Sequence, residues 1–128
     1  MTENNVEIIR RLYDAFETHD FNVIAELFDP EVEIYQSELL PWGGNYKGHD
    51  GAVTFFTGLL QHIDSKVTVE QIIEADDRVV EVGRTVGTTT NGSVPFDVPE
   101  VHVWQVRDGR IVRMESYVDV PLMLKALS

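Results

Sequence analysis

VHVWQVRDGRIVRMESYV (residues 101–118) decides the fold. Apolar and polar residues alternate on both sides of Asp108-Gly109, the period-two signature of two strands joined by a tight hairpin. Two registers are open. A two-residue turn pairs His102 with Glu115. A type I turn with Gly109 as a bulge sets His102 against Met114, beside Ser116. The choice matters because a one-residue slip carries every side chain to the opposite face. The two-residue register would bury Arg113 with Glu115, at a desolvation cost. The bulged register gathers Trp104, Val106, Val112, Met114 and Val118 on one face and leaves Gln105, Arg113 and Glu115 on the other. We therefore expect Glu100, His102, Trp104, Met114, Ser116 and Val118 on a concave inner face.

Upstream, Asn91-Gly92 marks another hairpin. It joins a strand over Arg78–Thr90, rich in Val and Thr, to one over Val94–Val106. Pro95 and Pro99 in the latter imply an edge stretch or a bulge. Val82, Arg84, Val86 and Thr88 share the face assigned to the cavity. Before the Asp76-Asp77 turn, Val67, Val69, Gln71 and Ile73 alternate with Thr68, Glu70 and Ile72. A helix over His49–Ile63 is expected to turn Val53, Phe56, Leu59, Leu60 and Ile63 inward. The segment Leu39–Gly48 reads as an apolar loop, and Val32 and Ile34 as the first strand. Two short amphipathic helices come first. Asn4 or Asn5 caps one carrying Ile8, Ile9, Leu12, Tyr13 and Phe16. The other carries Val23, Ile24, Leu27 and Phe28 and stops at Asp29-Pro30. Asp119 caps a closing helical turn with Leu122, Met123, Leu124 and Leu127. Consecutive hairpins make the sheet antiparallel and the class α+β.

The chain has 128 residues, 43% hydrophobic and 25% charged, as expected for one soluble globular domain over residues 1–128. A net charge of −12 argues against nucleic acid and anionic membrane surfaces as partners. The absence of cysteine excludes disulfides, thiol catalysis and thiolate metal sites. No leader pattern and no apolar run of about 20 residues is visible, so a cytoplasmic location is expected. His19, His49, His62 and His102 are scattered without paired spacing, and no glycine-rich phosphate loop follows a strand. No metal and no cofactor is therefore expected.

With the parts placed, the chain resembles the nuclear transport factor 2-like superfamily, and within it the SnoaL-like and ketosteroid isomerase-like proteins. The resemblance rests on three stretches: Ile8-Ile9-Arg10-Arg11-Leu12-Tyr13-Asp14-Ala15-Phe16, Tyr46-Lys47-Gly48-His49-Asp50-Gly51, and Val103-Trp104-Gln105-Val106-Arg107-Asp108-Gly109-Arg110-Ile111-Val112. It implies a cone-shaped fold: a strongly curved antiparallel sheet wrapped by three helices of the N-terminal half around an apolar pocket, commonly a homodimer through the sheet. The fold hosts isomerases, cyclases, hydrolases, dehydratases and proteins without chemistry. Ketosteroid isomerases place a base aspartate in a Val-Glu-Asp-Pro pattern, whereas this chain reads Val32-Glu33-Ile34-Tyr35. Their oxyanion acid lies on the strand that holds His102, and Tyr13 lies near their tyrosine. SnoaL-like cyclases pair a histidine, matched by His102, with an acid that Ser116 replaces. In limonene epoxide hydrolase-like enzymes, two acids fall at Ser116 and near Val80. Each acid–base set is incomplete.

The expected ligand is a small, largely apolar molecule bearing one polar oxygen. The expected chemistry is proton transfer in an isomerisation, aldol-type cyclisation or dehydration. His102, with an ordinary pKa of about 6.5, suits acid–base work. Arg84 and Tyr13 would stabilise an oxyanion, with Glu100 as reserve base. Phe16, Tyr35, Trp42, Phe55, Phe56, Leu59, Val82, Trp104, Met114, Ser116 and Val118 would line the pocket, Trp42 as mobile lid or as loop anchor. A non-catalytic binding or accessory dimer is the competing expectation, and a dimerisation module with a filled core is a third. Val101, Val103 and Tyr117 on the convex face would suit the dimer contact.

Overall fold

A computed structural model describes residues 4–128. Helix α1 (Asn5–Thr18) starts where the Asn4 side chain accepts the Glu7 N–H at 2.9 Å, which satisfies one orphan donor of the first turn. Its stripe of Ile8, Ile9, Leu12 and Ala15 is buried, and it ends at His19 in the left-handed conformation. Helix α2 (Phe21–Leu27) is capped by Asp20. The chain then enters strand β1 (Phe28–Gln36) at once, so Asp29-Pro30 lies inside a strand and not at a helix end. A short strand β2 (Gly44–Lys47), read from sequence as loop, pairs antiparallel with β1. Helix α3 (Gly48–His62), strands β3 (Ile63–Ala75), β4 (Arg78–Thr89), β5 (Pro95–Arg107) and β6 (Arg110–Val118), and helix α4 (Val120–Leu127) follow. Asp119 caps α4 by accepting the Leu122 N–H at 3.1 Å.

The six strands form one curved, unclosed sheet in the order β2-β1-β6-β5-β4-β3. All neighbours run antiparallel except β1 and β6, which are parallel. Strand β5 is interior, not an edge. Its prolines are accommodated differently. Pro95 opens the strand, where a missing donor is tolerated. The Pro99 carbonyl accepts the Asp119 N–H at 3.1 Å, just past the end of β6. The missing Pro99 donor thus falls where that ladder has stopped.

The hairpin at Asp108-Gly109 corrects both sequence readings. Both residues have positive φ (53° and 78°), the signature of a two-residue type I′ turn, and Arg107 pairs with Arg110 and Val106 with Ile111. The register then shifts, so that Gln105 faces Arg113 and His102 faces Ser116, not Met114. The extra residue is Val112 on β6, not Gly109. The bulge restores the expected parity: Trp104, Met114 and Ser116 are buried on the inner face. It also turns Ile111 inward and Val112 outward. A second bulge between Val69 and Gln71 brings Ile72, not Gln71 or Ile73, into line with Val67 and Val69.

Helix α3 is rolled relative to expectation. Ala52 and Phe55 are its buried residues, Phe56 and Leu59 are half-buried, and Val53 and Leu60 are 65% and 50% exposed. Phe55 sits between Phe56 and Tyr46, with ring centroids at 5.0 and 5.6 Å. These contacts anchor the helix on that face. No helix among the described residues is long and apolar enough to cross a membrane. We predict that Phe55→Ala costs about 3–5 kcal/mol in urea unfolding, whereas Val53→Ala stays within about 0.5 kcal/mol. Equal costs would contradict this roll of the helix.

Candidate functional site

The β4–β5 register places Glu81 opposite His102 and Gly83 opposite Glu100. Alternate residues share a face, so the inner residues of β4 are Val79, Glu81, Gly83 and Thr85, all buried. This corrects the face assigned to β4. Val82 and Arg84 lie on the outer face, where the Arg84 guanidinium pairs with the Asp97 carboxylate. The series Val82, Arg84, Val86 and Thr88, expected to face the cavity, instead covers the back of the sheet. Glu81, missed in the sequence, is the residue brought inside instead. The signal was present: the register is symmetric about Asn91-Gly92, and folding the chain there sets residue 81 against residue 102.

The inner wall carries a connected polar cluster. Tyr13, from α1, places its hydroxyl 2.8 Å from His102 Nδ1 and 3.3 Å from Glu81 Oε1. The Trp104 indole N–H donates to the Tyr13 oxygen at 2.9 Å. Glu81 Oε1 is 3.4 Å from His102 Nδ1, and Glu100 Oε2 is 3.3 Å from His102 Nε2. The imidazole lies near-parallel to the Tyr13 ring and edge-on to Trp104. Glu81, Glu100 and His102 are 0%, 2% and 6% exposed. Glu81 Oε2 and both Glu100 oxygens have no hydrogen-bond partner. No lysine or arginine among the described residues pairs with either carboxyl.

Burial without a cation sets the protonation states. It pushes the Glu100 carboxyl up to about 9, with neighbouring Glu81 and the charge of Glu70 adding to the rise. Burial likewise raises Glu81. The same desolvation lowers His102 to about 4, and burial with the Glu81 charge raises Tyr13. At neutral pH the imidazole is therefore neutral, the phenol keeps its proton, and Glu100 is a carboxylic acid. Of the pieces of an acid–base centre, the Tyr13 hydroxyl is within hydrogen-bond distance of the imidazole at 2.8 Å, and the two carboxyls stand just beyond it at 3.4 and 3.3 Å. Glu81, Glu100 and His102 also each offer a ligand-type atom, all within 4.8 Å of one another.

The remaining expected site residues divide by face. Ser116 and Met114 are buried opposite His102 and Trp104, and Val118 is half-buried opposite Glu100. Phe16 packs on Phe56 at 5.4 Å, with both rings half-buried, as is Leu59. Tyr35 lies on the outer face against Tyr117. Trp42 is 2% exposed, and its indole N–H donates to Gln36 Oε1 at 2.7 Å, the arrangement of a loop anchor. A concavity of about 770 Å3 opens between residues such as Glu31, Glu33, Arg107 and Arg113. Another of about 330 Å3 is bounded by Glu70, Arg84, Pro99, Glu100 and Tyr117. Neither is bounded by Tyr13 or His102. The imidazole is enclosed by Tyr13, Trp104 and the two acids, not by an apolar pocket shared with Arg84.

The SnoaL-like domain family matches residues 9–114. No curated protein matches the chain. Among solved structures, the chain is similar to an NTF2-like protein of unknown function from Burkholderia pseudomallei K96243, at 27% identity over 99% of both chains with a TM-score of 0.92. It is similar to TerC, co-crystallised with polyporic acid, at 28% identity over 96% of this chain and 97% of that one, TM-score 0.88. An NTF2-like protein from Burkholderia thailandensis E264 is 28% identical over 94% of this chain and 95% of its own, TM-score 0.87.

The buried acids give stability a signed pH dependence. The folded state holds the Glu100 proton up to about 9, whereas the unfolded chain releases it near 4.3. The contribution is full at low pH and is lost as pH rises through about 9. Glu81 acts with the same sign. His102 acts oppositely: its contribution is present above about 6.5 and lost as pH falls through about 4. The groups that bear on Glu100 are Glu81 on β4, Glu70 on β3, Tyr13 on α1 and His102 on its own strand, and none reverses the trend. We predict that in chelator-containing buffer Tm falls from about pH 6.5 to pH 9, and that Glu100→Gln flattens the fall. Equal slopes for the two proteins would mean that Glu100 is already ionised in the fold.

Proposed function

Since this chain belongs to the SnoaL-like domain family, we propose that it is a small-molecule enzyme of isomerase, cyclase or dehydratase type. It moves a proton within a largely apolar, oxygen-bearing substrate. The observation that carries this reading is the single buried cluster of imidazole, phenol and two carboxyls. His102, neutral at physiological pH, is the acid–base group. Tyr13 and the protonated Glu100 are the hydrogen-bond donors to oxygen where negative charge develops. A carboxylic acid kept neutral by its surroundings is a known way to build such a donor, and the handling of an acid in ketosteroid isomerase is the standard case. Arg84 drops out of this role because its charge is matched by Asp97 on the opposite face. Glu81 holds Tyr13 and the imidazole in register. Tyr13, Phe16 and Phe56, aligned in successive ring contacts and half-buried, supply the apolar approach. The structural neighbour co-crystallised with polyporic acid supports a small organic ligand.

In this reading the protein works as a single-domain homodimer in the cytoplasm. The outer face of the sheet carries Val80, Val82, Val101 and Val103, half-buried, and Tyr117, 45% exposed. A second copy covering that face would remove them from water.

The competing reading is a binding or accessory protein without turnover. The near-complete enclosure of His102 favours it. Hydrogen–deuterium exchange alpha to the carbonyl of a hydrophobic cyclic enone, followed by NMR in D2O with chelator, separates the two. Catalysis predicts exchange accelerated by the native protein, with His102→Ala slower by about 10²–10⁴-fold. Binding without acceleration would leave the accessory reading. For the assembly, Val101→Asp is expected to convert a dimer into a monomer in light scattering. A native protein that is already monomeric would remove the dimer.

A further inference from the structure

We infer that Glu81, Glu100 and His102 form a binding site for one divalent first-row transition-metal ion. Three observations carry this. The first is convergence: one side-chain atom from each residue lies within 4.8 Å of the others, and Glu100 Oε2 and His102 Nε2 stand 3.3 Å apart. Two ligands bonded at about 2.1 Å to a tetrahedral ion lie about 3.4 Å apart, so the edge from Glu100 to His102 is already set, and Glu81 closes onto it by a side-chain adjustment from within 4.8 Å. The second is the unpartnered state of Glu81 Oε2, Glu100 Oε1 and Glu100 Oε2, all on side chains almost fully buried. A proton shared between the carboxyls engages two of these oxygens and leaves the third orphaned beside a net negative charge. A dication engages the oxygens of both carboxyls and cancels the charge of the pair. The third is close packing over Gly83: a Cβ there would run into the Thr68 carbonyl oxygen and lie 2.5 Å from Glu81 Oε2 and 3.0 Å from Glu100 Oε1, so the absence of a side chain is what lets the two carboxyls approach each other here.

The surroundings fit an imidazole ligand. The Tyr13 hydroxyl donates to Glu81 Oε1 at 3.3 Å, so its oxygen, 2.8 Å from Nδ1, accepts the Nδ1–H and leaves the lone pair on Nε2, the usual division of labour at a ligating histidine. Trp104 holds that hydroxyl in turn. The donor set selects the metal. One nitrogen and two carboxylates suit Zn2+, Co2+, Fe2+ or Mn2+. Calcium and magnesium want six or more oxygens or retained waters, and the absence of cysteine removes the soft ligands that favour Cu(I).

This site uses the cluster of the proposed reaction but does not rest on that reaction. Metal binding is measured without substrate, and proton exchange is measured in chelator, so either can fail alone. The full chain, stripped with EDTA, is titrated with ZnCl2 by calorimetry and with CoCl2 by visible absorption. The expected result is one equivalent bound, strong ligand-field bands from Co2+ of low coordination number, and a raised Tm. Glu81→Gln and Glu100→Gln, checked for folding by circular dichroism, should each weaken binding by at least about 100-fold, and Tyr13→Phe by about 10–100-fold. Zn2+ affinity unchanged in the double Glu→Gln variant would overturn the site. So would Co2+ that keeps the weak bands of the hydrated ion in the native protein.

Discussion

The interior depends on one constraint: two carboxyls and an imidazole share the inner face of adjacent strands, with no lysine or arginine among the described residues paired to them. Strand parity makes this unavoidable. Once Glu81 is paired with His102 and Gly83 with Glu100, period two sends Glu81, Glu100 and His102 to one side and Arg84 to the other. Moving the acids to water would need a one-residue slip. That slip would also expose Trp104, Val79 and Val98, all at or below 2% exposure. Burying a large aromatic residue and two valines outweighs the discomfort of two polar groups. The hydrophobic pattern thus holds the acids in place against their own desolvation.

The rest of the site follows from what such groups need. A buried donor or acceptor without a partner costs about 1–3 kcal/mol. Helix α1 answers with Tyr13, whose single hydroxyl meets an imidazole nitrogen, a carboxylate oxygen and an indole N–H. Trp104 could not be fully buried without somewhere to send that N–H. The helix is positioned by its apolar stripe, but the phenol fixes which residue of the stripe's border meets the sheet. Three carboxylate oxygens remain unanswered by any side chain. Groups that are buried, unpaired and strongly shifted in pKa mark functional sites more often than structural ones, and here they coincide.

Much of this was legible in the sequence because it is written in short-range chemistry. Asn4 and Asp119 cap their helices, and Asn91-Gly92 and Asp108-Gly109 turn their hairpins. The inward orientation of His102, Trp104, Met114 and Ser116 follows from parity alone and survived a misplaced bulge. The losses have separate causes. Bulges at Val69/Gln71 and at Val112 have no strong local signature, yet each changes which residues meet. For β4 the more apolar alternation faces outward, so hydrophobicity pointed to the wrong side. Turn symmetry about Asn91-Gly92 pointed to the right one. The roll of α3 escaped because Val53, Leu60, Phe55 and Phe56 are all apolar, and only the aromatic contact to Tyr46 chooses among them.

That misreading of β4 carries its own physical content. A sheet buried on one face should alternate apolar and polar residues. Here the inner set of β4 is Val, Glu, Gly, Thr and the outer set Val, Val, Arg, Val, so the polar residues went where the packing is tightest. On β4 itself such an inversion carries a desolvation cost. Replacing buried charged groups by well-packed apolar ones of similar volume is often neutral or stabilising, so stability gives no reason to keep Glu81 and Glu100 inside. Two demands can pull the pattern this way: chemistry or ligation on the concave side, and a partner on the convex side. The acids meet the first, since their oxygens converge where the sheet leaves Gly83 bare. The outer valines meet the second, since a half-buried apolar band on an otherwise acidic protein gains from being covered. The two faces of one strand would then carry the two functions, and the sequence of β4 is the compromise between them.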